Sequence, residues 1–142
     1  MSDPVLGTLE RTDDVWSSRT TWVHSDAPFA LSVYRSKVVP SPADAQVYEA
    51  LRQSYKRLSP DIQLALLRLW NDYRAKDVFA TKQEPEFVDP LALWHAVQLQ
   101  GIGVYEDGHV ELIYGFASQA HPEGAFMVGI RGQSVEALEY VE

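Results

Sequence analysis

Apolar and polar residues alternate with a period of two at both ends of the chain and with a helical period in the middle. Residues 5–11 read as a first strand. Over residues 15–24, Trp16, Ser18, Thr20 and Trp22 fall on one face, and Val15, Ser17, Arg19, Thr21 and Val23 on the other. Phe29, Leu31 and Val33 then alternate with Ala30, Ser32 and Tyr34. Arg11-Thr12-Asp13-Asp14 and Ser25-Asp26-Ala27-Pro28 separate these runs, and Asp favours turns by bonding nearby amides. The pattern predicts an antiparallel meander.

The middle of the chain carries three helix-start signals. Ser41-Pro42 places a capping hydroxyl before a first-turn proline, with Asp44 three residues beyond the cap. Val47, Leu51, Ser54, Tyr55 and Leu58 follow as a stripe. Ser59-Pro60-Asp61 repeats the signal ahead of Ile62, Leu66, Leu69, Trp70 and Tyr73, and Asp89-Pro90 gives it a third time ahead of Leu93, Trp94 and Val97. These signals predict three helices, at about 42–57, 60–79 and 90–97. Alternation then returns. Residues 101–106 and 109–117 flank the hairpin dipeptide Asp107-Gly108. Phe126, Val128 and Ile130 form a further strand, which Gly132-Gln133-Ser134 turns into residues 135–141.

The expected fold is one α+β domain over residues 1–142. It has a single, mostly antiparallel sheet built from both chain ends, with three central helices packed on one face. Leu51, Leu66, Leu69, Trp70, Val110, Leu112, Phe126 and Val128 should be core. The composition suits this picture, at 46% apolar and 23% charged residues. There is no cysteine, which removes disulfides, thiolate metal sites and a cysteine nucleophile, and fits a reducing compartment. No signal peptide or membrane span is visible, so the expected location is the cytoplasm.

Charge changes the picture more than composition does. Residues 81–142 hold ten Asp/Glu against two Lys/Arg, a net of −8, while residues 1–80 hold ten of each. A one-signed surface steers a partner of opposite sign. The same balance, with a pI near 4.9, argues against nucleic acid as that partner.

Candidate chemistry is sparse. No histidine pair has the spacing that presents two imidazoles to one metal, and there is no Gly-x-Ser-x-Gly. Gly101-Ile102-Gly103 enters a strand rather than a helix, so it is no phosphate loop. No cofactor or metal is expected. His109 and Glu111 could share a strand face, with His121 approaching across the hairpin. These three are the candidate groups for an alternative reading, a ligand-binding or enzymatic domain with a pocket between sheet and helices. For docking a basic partner the candidates are Glu106, Asp107, Glu111, Glu136 and Glu139. Simple alternation separates Glu136 from Glu139, so the hairpin trio Glu106, Asp107 and Glu111 is favoured.

Two ends of the sequence resemble a known family. Leu6-Gly7-Thr8-Leu9-Glu10, then a strand with Trp16 and Trp22, opens the chain. Asp107-Gly108-His109-Val110-Glu111-Leu112-Ile113-Tyr114, then Gly124 and an apolar strand, closes it. This resembles a bacterial family of small domains found among the immunity proteins of polymorphic-toxin systems. The resemblance implies an α+β fold and a noncatalytic protein that neutralises a cognate, basic toxin by occlusion. It implies no binding residues. Members often carry acidic residues and histidine after the hairpin tyrosine, whereas here residues 115–121 hold no carboxylate.

Overall fold

The computed structural model describes residues 2–22, 27–34, 40–76, 87, 89–117 and 124–141. A small ladder pairs β1 (Ser2–Asp3) with β2 (Gly7–Thr8). The remaining strands are β3 (Glu10–Thr12), β4 (Val15–Thr20), β5 (Phe29–Tyr34), β6 (Val97–Tyr105), β7 (Val110–Phe116), β8 (Ala125–Arg131) and β9 (Ser134–Val141). They form one seven-stranded sheet in sequence order. Two helices, α1 (Pro42–Lys76) and α2 (Pro90–Ala96), lie between β5 and β6. The architecture is α+β, but it corrects the expected one. There are two helices among the described residues rather than three, a second two-stranded sheet, and a main sheet that is mixed.

The missing helix boundary has a physical cause. Pro60 lies inside α1, where a proline removes one backbone hydrogen bond and crowds the preceding turn. The Ser59 hydroxyl donates to the Tyr55 carbonyl at 2.7 Å, within that turn. More decisive is the phase of the stripe. Tyr48, Leu51, Tyr55, Leu58, Ile62, Leu66, Leu69 and Trp70 are all buried, at steps of three or four residues that run through Pro60 without a break. Pro60 itself faces solvent. Burying one continuous face outweighs the local cost of about 3 kcal/mol for a helical proline.

That single helix also accounts for the one parallel pair. β5 and β6 run parallel, and the other five pairings are antiparallel. One long traverse over the sheet returns the chain to the end where β5 began, so the next strand runs the same way. Two helices of equal length would have reversed it. At its start, α1 is closed by a reciprocal cap in which the Ser41 backbone N–H donates to the Asp44 carboxylate at 2.8 Å. Asp44 is the one buried charged residue among those described.

Both helices cover the same face of the sheet. On that face Phe29, Leu31, Val33, Ile102, Val104, Val110, Leu112, Tyr114, Phe126, Val128 and Ile130 are buried. All eight residues expected in the core lie there or on the inner side of α1. Aromatic rings fill the two ends. Trp22 contacts Phe29, Tyr48 and Tyr55, with centroids 5.0–5.7 Å apart. Trp70 is surrounded by Tyr73, Phe87, Phe116, Phe126 and Tyr140. Some of their polar atoms meet one another. Trp22 Nε1 donates to the Tyr48 hydroxyl at 2.7 Å, and the Tyr55 and Tyr114 hydroxyls are 2.6 Å apart. Burial pushes the Tyr55 phenol up to about 12 and raises that of Tyr114.

Candidate functional site

The opposite face of the sheet carries no helix, and no described element covers it. Its side chains follow from the register. One row across the strands is Val15, Tyr34, Tyr105, His109 and Arg131. The next is Glu10, Ser17, Ser32, Gly103, Glu111, Gly129 and Glu136. A third is Arg19, Ala30, Gly101, Ile113, Met127 and Glu139. The centre of this face is therefore floored by Gly, Ser and Ala.

A stack of three rings stands beside that floor. Tyr34 and Tyr105 lie 4.5 Å apart with planes 10° from parallel, and Tyr105 and His109 lie 4.2 Å apart at 10°. The tyrosines lean over Gly103. A Cβ there would sit 3.0 Å from a Tyr34 ring carbon and 3.2 Å from one of Tyr105, so glycine permits the stack.

Polar groups tie the stack to the hairpin tip. The Tyr105 hydroxyl donates to Glu111 Oε2 at 2.9 Å, and His109 Nε2 lies 3.6 Å from Glu111 Oε1. On the other side of the imidazole, Nδ1 meets the Asp107 carboxylate, which also accepts from the His109 backbone N–H at 3.0 Å. Arg131 reaches the second Asp107 oxygen at 3.2 Å. The His109 backbone N–H and imidazole, with help from Arg131, hold the Asp107 carboxyl down to about 2. The Tyr105 phenol is raised by burial and by donating to Glu111. The loop itself spans Glu106, Asp107 and Gly108, with Gly108 at φ 86° and Tyr105 N–H bonded to the His109 carbonyl at 3.1 Å. It is thus a three-residue hairpin loop with glycine in the left-handed position, one residue longer than the dipeptide signal suggests.

The five predicted docking residues divide into two groups. Asp107 and Glu111 are consumed by the network just described, and Glu106 is exposed on the loop. Glu136 and Glu139 are exposed on β9 and make no ion pair among the described residues. Simple alternation had put these two on opposite faces. A bulge changes that. The register shifts between Met127 and Val128, so Glu136 pairs with Gly129 and Glu139 with Met127. Both partners lie on the open face, and so do both carboxylates. Leu138, the extra residue, lies across Gly129 on the same side. The free negative charge of the open face thus sits on β8–β9 more than at the hairpin tip.

The alternative pocket takes a different form from the one expected. His109 and Glu111 do share a strand face, but it is the open one, away from the helices. Their carboxylate neighbours occupy opposite imidazole nitrogens and so do not converge on one point. His121 lies outside the described residues. A cavity of about 180 Å³ does exist between α1 and the hairpin tips, lined mainly by Val47, Leu51, Leu58, Val110 and Ile130. Its lining has no titratable side chain.

Sequence reasoning missed Tyr34, Tyr105 and Arg131. They come from three separate strands, and only the parallel β5–β6 register puts Tyr34 beside Tyr105. The alternation of Ala30, Ser32 and Tyr34 against a buried face was the available signal. No family model, curated protein or solved structure matches the chain. No helix among the described residues is long and apolar enough to cross a membrane.

Proposed function

We propose that this chain is a noncatalytic binding protein whose open sheet face docks a basic protein partner. The observation that carries the reading is the bulge at Leu138. It sets Glu136 and Glu139 on the same uncovered face as Glu111, and neither of the first two makes an ion pair among the described residues. The Gly, Ser and Ala floor beside them lets a partner approach the backbone closely. The covered face offers no comparable set of groups. The resemblance of both chain ends to immunity domains makes the partner a cognate bacterial toxin, met in the cytoplasm. Occlusion of a basic active-site cleft would be the mechanism, with charge steering the encounter.

The test is association of the E136K/E139K variant with the toxin domain encoded by the adjoining reading frame. Circular dichroism should report an unchanged fold. Association should slow by about tenfold or more at low salt, and the difference should shrink as salt screens it. Unchanged association rates at low salt would overturn the docking face. A neighbourhood of metabolic genes with no toxin would overturn the immunity role.

A further inference from the structure

The same residues border a feature that face docking does not use. β9 is an edge strand eight residues long, with no outer neighbour among the described residues. The other edge, β3, has three residues, and its Arg11 side chain is engaged with the Asp13 carbonyl. A row of unpaired backbone groups on a long edge is a template for another strand. Beside β9 runs a groove of about 580 Å³, walled by Arg68, Asp72, Tyr73 and Lys76 of α1 and bordered by Glu136 and Glu139 of β9, so that its lining is more polar than apolar. Of the four large apolar residues exposed on the surface described, Leu138 and Val141 are on this strand.

We infer that β9 receives an extended segment of the partner as an added strand, and that basic residues recur along the side of that segment that meets the open face. This rests on the proposed docking reading and specifies its geometry. An added strand projects alternate side chains to the two faces. Those on the open side meet Glu136 and Glu139, which make no ion pair among the described residues. Those on the covered side enter the groove, where Asp72 and Lys76 as well as Leu69 and Tyr73 line the wall. Charge also excludes the simplest competitor, a second copy of this chain. Antiparallel pairing of two β9 strands would set Glu136 and Glu139 of one copy against those of the other, and like charges across a ladder are destabilising. The glutamates that block self-pairing therefore select a cationic strand.

The probe is a short peptide of alternating lysine and valine, compared with the same peptide N-methylated on every second amide. The full-length chain is labelled for NMR. Binding of the unmodified peptide should slow hydrogen exchange at β9 amides while leaving β3 unchanged. N-methylation should weaken binding by about tenfold or more, since the ladder cannot form. E136Q/E139Q, which keeps size and fold, should weaken it about tenfold at low salt. Equal binding of both peptides, with shifts at the Met127 and Ile113 methyls and no β9 protection, would overturn strand addition and leave face docking standing. Absence of any response to either peptide would overturn both. A concentration-dependent dimer in sedimentation that protects β9 would make the second copy the occupant and overturn the inference.

Discussion

The two faces of this sheet are built from the same strands and solve opposite problems. Under the helices, large rings are packed closely enough that buried hydroxyls pair with each other, as with Tyr55 and Tyr114 at 2.6 Å. On the open side, Gly101, Gly103, Gly115 and Gly129 replace bulk, and the order comes from a ring stack pinned by Asp107, Glu111 and Arg131. The covered face derives its energy from excluded water and the open face from charge and hydrogen bonds that water can compete for. The comparison teaches where stability and recognition should separate. Changes under the helices should unfold the chain, and changes on the open face should alter what it binds.

The largest expected effect lies under α1. Trp70 is fully buried and contacts five aromatic rings. Trp70→Ala should destabilise by about 3–5 kcal/mol in urea unfolding. A loss below about half a kcal/mol would mean that the covered face is not the core.

The buried tyrosine pair should give the next effect. Tyr114→Phe removes the partner hydroxyl of Tyr55 and should cost about 1–3 kcal/mol. Adding Tyr55→Phe should cost less than the sum, because the second change removes the group that lost its partner. The pair also sets an alkaline limit. Both phenols are raised above the ordinary value of 10, that of Tyr55 to about 12. The folded state therefore holds these protons more tightly than the unfolded chain. Their contribution is complete below pH 10 and is lost as pH rises from 10 through 12. A urea midpoint flat from pH 9 to 12 in the wild type, after correction for chemical damage, would remove the pair from the stability account.

Gly103→Val probes the open face at its most crowded point. The new side chain meets Tyr34 and Tyr105, so both rings must move. Strand propensity favours valine, which partly offsets the clash, and the net cost should be about 1–3 kcal/mol. The decisive readout is the His109 ring shift, which depends on the Tyr105 face 4.2 Å away. An unchanged shift would mean that the stack does not rest on Gly103.

The covered face was the more legible of the two, for a physical reason. Burial imposes alternation on strands and a stripe on helices, and both patterns can be read residue by residue. Leu51, Leu66, Val110 and Phe126 announce themselves this way. The Pro60 boundary misled because a local helix signal competed with a stripe whose phase is only apparent over seven turns. The open face needed register. Tyr34 and Tyr105 are seventy residues apart in the chain and adjacent only through a parallel pairing that depends on α1 being one helix. The bulge at Leu138 shows in the sequence only as a step of three between Ala137 and Tyr140, yet it decides which face carries Glu139.

Asp107 should give the smallest effect in energy and the sharpest contrast between faces. Its carboxyl is held at about 2 against an ordinary 3.8, first by the His109 backbone N–H and then by the imidazole and Arg131. A depressed carboxylate contributes stability that is complete above its unfolded value and is lost as pH falls through the folded one. The window here is therefore pH 3.8 down to about 2. The side chain is half exposed, at 52%, so salt should screen much of the contribution. Carbon-detected NMR should place the Asp107 titration at about 2, and Arg131→Gln should move it upward. Asp107→Asn should remove this acid response and leave the alkaline fall above pH 10 in place, while Tyr55→Phe should lessen the alkaline fall and leave the acid response in place. If either variant altered both limbs, the two faces would not be energetically separate. Docking on the open side could then no longer be tested without disturbing the core.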